Sequence, residues 1–332
     1  MRSLIHECAT HDRTSSSRPP DRAVLDQPTQ TPTALGAFPP EPSPGQEFAA
    51  GQSSWRSMVE VFTANRLAVL GFGIIIFFVL FCWIGPIFYH TNQLQTALLS
   101  ANQGPSLSHL LGTDNVGYDT LGRLMEGGQT SLLVGVAAAF LGTSFGVIWG
   151  AVAGYLGGLT DAIMMRLVDA LLAIPGLFLL LFLASVVTPS VPLMIFIIAV
   201  VAWLGPARLV RAETLTIRER DYVQAIRMMG GTGLRTITRH IIPNTVGTIV
   251  VNATFQVADA ILILAYLSYL GLGVPPPASN WGEMLSGGVN YVFAGYWWLI
   301  WPAGFCIVAT VVAFNFVGDA LRDAFEVRLQ RR

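Results

Sequence analysis

Apolar residues fall in long, nearly unbroken runs along this chain, and the runs set its expected architecture. A helix needs about 20 mostly apolar residues to cross the hydrocarbon core of a bilayer. Six stretches reach that length: Leu67–Tyr89, Ser131–Tyr155, Arg166–Val187, Val191–Arg211, Val246–Leu272 and Trp297–Gly318. Only Thr188, Pro189 and Ser190 separate the third from the fourth, which predicts antiparallel neighbours. The expected fold is all-α, a polytopic bundle of six transmembrane helices. Within the second run, Gly142, Gly146, Gly150 and Gly154 recur every fourth position. They strip one helix face of side chains, so that another helix can approach closely.

The polar stretches divide the rest. Residues 1–55 are rich in Pro, Ser and Thr and hold no apolar run suited to a secretory signal, which predicts a disordered cytoplasmic tail. Residues 56–130 carry the first span and an outer loop, 131–323 a core with a long polar loop at 212–244, and 324–332 a short tail. Arginine sets the orientation. With the N-terminus inside, Arg56, Arg66, Arg166, Arg208, Arg211, Arg218, Arg220, Arg227, Arg235, Arg239 and Arg322 fall on the inner side, and the outer loops hold Arg123. Both termini are expected in the cytoplasm.

Composition narrows the chemistry. Hydrophobic residues make up 53% of the 332 and charged residues 12%, against about 25% charged in an ordinary soluble domain. The net charge of −1 gives no overall basic character for nucleic acid. All 19 basic residues are arginines, so a phosphate-binding loop with its lysine is excluded. Cys8, Cys82 and Cys306 are too scattered for a disulfide framework or a thiolate metal site. His6, Cys8 and His11 sit together in the polar tail, where no metal site is expected. Gly142-Thr143-Ser144-Phe145-Gly146 spells G-x-S-x-G, but that motif needs a strand-turn-helix elbow, and here it lies inside a glycine-striped apolar helix.

The 212–244 loop is the most informative polar segment. Thr216-Ile217-Arg218-Glu219 has the form of a capping box at a helix start. Tyr222, Ala225, Ile226 and Met229 follow at helical spacing. Gly230, Gly231 and Gly233 permit a sharp turn. A second short helix would carry Leu234, Ile237 and Ile241 on one face, with Arg235 and Arg239 elsewhere and Pro243 as its stop. Periodicity leaves two readings open: a hairpin resting on lipid headgroups, or one docking into a partner's groove.

Asp221-Tyr222-Val223-Gln224-Ala225-Ile226-Arg227-Met228-Met229-Gly230, then Arg239-His240-Ile241-Ile242-Pro243-Asn244, resembles the EAA loop of ABC importer permeases, with Gln224 replacing its Glu and Ile226 its second Ala. His109-Leu110-Leu111-Gly112-Thr113-Asp114, Gly117, Asp119, Arg123, Leu124, Gly127, Ser131 and Leu132 resemble the C-type permeases of dipeptide, oligopeptide and nickel importers, with Tyr118, Gly122 and Gln129 as departures. Gly154-Tyr155-Leu156-Gly157-Gly158 and Leu267-Ser268-Tyr269-Leu270-Gly271-Leu272-Gly273, then Pro276 and Trp281-Gly282, extend the likeness from about Asn65 to Asp323.

The resemblance implies a bacterial inner-membrane permease that binds no cofactor and is not itself an enzyme, with ATP and Mg on partner subunits. Its implied partners are a second homologous permease, two ATPase subunits or one two-domain ATPase chain, an extracytoplasmic substrate-binding protein and the bilayer. Asp221, Gln224, Ala225, Gly230, Arg235, His240 and Pro243 would form the loop that docks on the ATPase. Trp281 and Gly282 would belong to the outer gate or the binding-protein contact. Peptides are the expected cargo.

Charged groups deep in a bilayer cost at least about 2.5–3.5 kcal/mol and usually face a bundle interior or a water path. Asp259, with Gln256 and Asn252, is therefore expected along the translocation path or in a structural polar strip. Leu264 stands where members of the resembled family often carry a Glu. Arg166 and Asp169 are spaced for an intrahelical pair. The competing function is a stand-alone channel or secondary transporter, which leaves the extended hairpin unexplained.

Overall fold

The computed structural model describes residues 54–91 and 95–330, with backbone alone at 54–58 and 327–330. The readings made on the N-terminal tail, including His6, Cys8 and His11, lie outside the described residues. Twelve α-helices follow in order among the described residues: α1 Ser54–Ala64, α2 Arg66–Phe88, α3 Thr120–Leu156, α4 Gly158–Leu172, α5 Gly176–Val186, α6 Val191–Ala202, α7 Leu204–Arg218, α8 Asp221–Met228, α9 Gly233–Thr236, α10 Ile242–Tyr269, α11 Trp281–Val289 and α12 Trp301–Gln330. Four helical stretches are long and apolar enough to cross a membrane, and the number rises to six when each of two bent pairs is taken as one span.

Helix α3 is the central element, packing against α7, α10, α6 and α2. It begins at Thr120, ahead of the predicted span, so the division expected at residue 130 falls inside one continuous helix. Asp119 starts it by accepting the Gly122 N–H at 2.8 Å. The glycine stripe does what the spacing predicts. A Cβ on Gly150 would come within 2.3 Å of the Ala207 carbonyl oxygen, and one on Gly146 within 2.6 Å of that of Trp203. The glycines let α3 lie directly on the backbone of α6 and α7. The G-x-S-x-G tract is helix interior, with no nucleophile elbow.

The third and fourth spans are bent rather than straight. Helices α4 and α5 meet at 82° and α6 and α7 at 42°. At the first bend Pro175 disfavours helical backbone at Ile174. At the second, Pro206 has no N–H to give the carbonyl of Ala202, four residues earlier. The Gln256 side-chain amide from α10 fills that vacancy, Nε2 donating to the Ala202 oxygen at 2.6 Å. Inside α2 the same device recurs: Pro86 frees the Cys82 carbonyl, and Gln129 of α3 donates to it at 2.6 Å.

Four buried apolar clusters hold the described bundle, and two of them lie in its middle and outer part. One gathers Phe78, Leu132, Ile261, Trp281 and Ile307. The other gathers Val134, Leu180, Met194, Ile198 and Leu264. Leu264 is thus core, 1% exposed. The outer faces of the helices remain apolar, with Leu70, Phe77 and Leu80 of α2 and Phe140 and Ile148 of α3 exposed, as suits lipid contact.

Candidate functional site

The 212–244 segment folds as a hairpin, but not with the expected limits. Helix α7 continues through Arg218, so Thr216 lies within it, its hydroxyl donating to the Ala212 carbonyl, and Glu219 follows its last residue. The predicted capping box is not formed, because the fourth run simply carries on past its apolar section. Arg220 adopts extended backbone and turns the chain into α8, where Asp221 occupies the first turn, the favourable end for a negative charge. Gln224 donates to the Glu219 carbonyl at 3.1 Å, tying α8 to the end of α7.

Gly230, at φ +81°, ends α8. Its N–H bonds the Arg227 carbonyl at 3.1 Å and the Gly231 N–H bonds that of Ile226 at 2.9 Å, the paired pattern of a Schellman cap. Beyond it, α9 runs through a π-turn, Ile237–Ile241, straight into α10. Pro243 is therefore not a stop. It sits in the first turn of α10, where a missing N–H is tolerated, and the widened turn ahead of it absorbs the ring. Asn244 donates to the His240 carbonyl at 2.6 Å and strengthens the junction.

The root of the hairpin is buried and its tip is not. Val223, Ile237 and Ile241 pack with Val147, Ala151, Tyr155, Val210 and Ile217. The Arg227 guanidinium lies 4.7 Å from the centre of the Tyr155 ring. Met228, Met229 and Leu234 are 82%, 79% and 74% exposed. The face predicted from Tyr222, Ala225, Ile226 and Met229 is only half right. In so short a helix Val223 makes the inward contact, while Tyr222 and Met229 point out. Asp221, Gln224, Arg235 and Pro243 are exposed, whereas Ala225 and His240 are half-buried.

Ion pairs brace this end. Arg211 grips Asp161 with two bonds, of 2.5 and 2.6 Å, and Arg208 meets Asp169 at 2.5 Å. Both join α7 to α4. Asp169 is thus bound across helices to Arg208, correcting the intrahelical pair expected with Arg166. Arg218 donates to the Gly154 carbonyl at 3.1 Å, and the Thr248 hydroxyl donates to Glu213. These partners lie 35 to 64 residues apart in sequence, so only their charge or polarity was visible beforehand.

In mid-bundle the three polar residues of α10 have separate surroundings. Gln256 supports the α6–α7 bend. Asn252 is half-buried, its amide oxygen without a hydrogen-bond partner among the described residues, and it lines a cavity of about 780 Å³ between α7, α10 and α12. Asp259 is exposed on the surface of the chain.

Trp281 and Gly282 lie at the opposite end, and both are buried. The indole is fully enclosed, Nε1 donating to the Leu124 carbonyl at 2.9 Å, and its backbone N–H donates to Ser131. Around them the His109–Leu132 motif forms a hydrogen-bonded cap. Asp114 accepts the N–H groups of Val116 and Tyr118, and Asp119 takes the Tyr89 hydroxyl and His109 Nδ1, each at 2.9 Å.

The chain is thus a bundle of membrane-length helices bearing a hairpin with a buried root and an exposed apolar tip. Residues 146–331 match the family described as binding-protein-dependent transport system inner membrane component, and residues 53–105 match the N-terminal transmembrane domain of oligopeptide transport permease C. The chain belongs to this family of permease subunits. It is 40% identical to the oligopeptide transport system permease protein OppC of Bacillus subtilis, over 84% of this chain and 91% of that one. It is 37% identical to the dipeptide transport system permease protein DppC of the same organism, over 84% and 86%, and 37% identical to OppC of Escherichia coli, over 83% and 92%.

Proposed function

We propose that this chain is one of two related permease subunits of an ATP-driven peptide importer, with the hairpin inserted into a cytoplasmic ATPase subunit. The observation that carries the reading is the contrast within the hairpin: a root locked to α3 and α7, and a tip of Met228, Met229 and Leu234 left uncovered. A partner's groove gives those side chains a place to be buried. The arginines gathered at this end support a cytoplasmic location for it, and so for both termini. An extracytoplasmic binding protein delivers cargo to the other end. ATP and Mg act on the ATPase subunits, not on this chain.

The exposed Asp259 supports a second permease alongside. A carboxylate facing hydrocarbon is costly, and a neighbouring subunit or a water-filled path between the two removes that cost. On ATP binding the ATPases close, press on the hairpins, and rock the two half-bundles between outward and inward access. Peptide cargo is the reading favoured by the names of the relatives. A stand-alone channel gives the apolar tip nothing to do.

Gly230→Pro tests the coupling, because proline cannot reach φ +81°. In the reconstituted assembly we expect ATP hydrolysis to persist while peptide uptake falls at least about tenfold. Normal uptake by a correctly inserted variant would overturn the mechanism, and uptake by this chain alone without ATPases would favour the channel.

A further inference from the structure

At the end opposite the hairpin, a cavity of about 470 Å³ opens between the start of α3, the end of α10 and α11. Its size lies within the range of small-molecule sites. Six residues give it character: Asp114, Thr120, Arg123, Ser268, Ser279 and Glu283. Thr120, Ser268 and Ser279 are 2%, 3% and 1% exposed, and each hydroxyl oxygen is buried without a hydrogen-bond partner among the described residues. The Glu283 Oε2 is likewise unpartnered. Buried polar atoms left unsatisfied cost stability unless something meets them.

The arrangement is rich in acceptors and poor in free positive charge. Arg123 is already engaged, donating to the Pro277 carbonyl at 2.7 Å with its guanidinium 4.3 Å from the centre of the Tyr118 ring. Asp114 and Glu283 line the cavity, and Glu126 adds negative charge close by. An anionic guest would meet three carboxyl groups against one guanidinium. A guest that carries positive charge and donates several hydrogen bonds fits what is unused.

We propose that this cavity receives the α-ammonium end of the cargo, with Glu283 and Asp114 as its charge partners and the hydroxyls of Thr120, Ser268 and Ser279 as acceptors. The proposal rests on the peptide reading above and names the chemical end by which peptide enters. Specificity for a free amino terminus then resides partly in the permease, not only in a binding protein.

The test uses the assembled transporter in nanodiscs, without binding protein, and saturation-transfer NMR with three probes: dialanine, N-acetyl-dialanine and dialanine amide. Dialanine and its amide should bind alike, and the N-acetyl form at least about tenfold more weakly. Glu283→Gln should weaken dialanine about tenfold, and Ser279→Ala, which changes no charge, about threefold, in complexes that still co-purify with all partners. Equal binding of the acetylated probe, preference for a free carboxylate, no dialanine binding, or binding unchanged in Ser279→Ala would each overturn the assignment. An assembly that imports peptide yet fails these tests refutes the cavity alone, whereas one that imports no peptide refutes the cargo reading itself.

Discussion

The two ends of the bundle invert each other. At the hairpin end the apolar side chains of Met228, Met229 and Leu234 face outward, while Arg208 and Arg211 pair with acids on the flank of α4. At the other end Trp281 is wholly inside, and Thr113, Asp119 and Asn280 are buried with it, while Leu99, Leu107 and Phe293 stand exposed on the surrounding loops. The polar cap of that end is closed by its own loops. At the hairpin end the tip is open, and under the proposed function a second protein covers it. The difference teaches where stability and function part: side chains of the closed end hold the fold, and those of the open tip can change with little cost to it.

Replacing Trp281 with Ala attacks the closed end and should have the largest effect. It empties a fully buried site and removes the indole's hydrogen bond to the Leu124 carbonyl, a loss of about 3–5 kcal/mol by the usual cost of such truncations. A large fall in the melting temperature of the detergent-solubilised chain would register it. Gln256→Leu should cost about 1–3 kcal/mol, because it leaves the Ala202 carbonyl buried without its donor. Gln129→Leu should do the same at Cys82, and similar melting curves for these variants and wild type would refute the proline-rescue role.

The joint Met228→Ser and Met229→Ser change at the open end should alter stability by no more than about 0.5 kcal/mol. Retention of the ATPase subunits during co-purification should nevertheless fall sharply. Undiminished retention would dissolve the contrast between the ends. The smallest effect is one of pH. Burial holds the Glu283 carboxyl above its ordinary range, with Asp114 and Glu126 adding to the shift and Arg123 and a backbone hydrogen bond opposing it. The folded chain keeps that proton to higher pH than the unfolded one, so the stability it confers is lost as pH rises through the folded-state pKa. Glu283→Gln should therefore melt above wild type at neutral pH and converge with it in acid, in thermal scans without peptide.

Much of this was legible in the chain itself. The apolar runs located the spans, and the four-residue glycine repeat located the face of α3 that meets α6 and α7. The motif blocks located the hairpin and the opposite cap. What escaped were features decided by neighbours. Thr216 and Glu219 have cap-forming chemistry, yet the preceding helix overruns them. Pro243 reads as a terminator, yet a π-turn carries the helix through. Pro175 and Pro206 announce trouble in two spans but not the size of each bend. Gln256, read as lining a path or belonging to a structural polar strip, donates to a carbonyl freed by a proline 50 residues away in sequence, a partnership no local pattern encodes.

Because α9, the π-turn and α10 form one helical stretch from Gly233 to Tyr269, its 37 residues amount to a rod roughly 55 Å long at the usual rise. Such a rod resists compression along its axis. Under the proposed coupling, a push beside Gly233 would emerge at the other end of the rod as tilt or slide, felt where Ser268 borders its cavity. A nucleotide-driven stroke and the release of an amino terminus would then be two readings of a single displacement, with no relay of intermediate contacts between them.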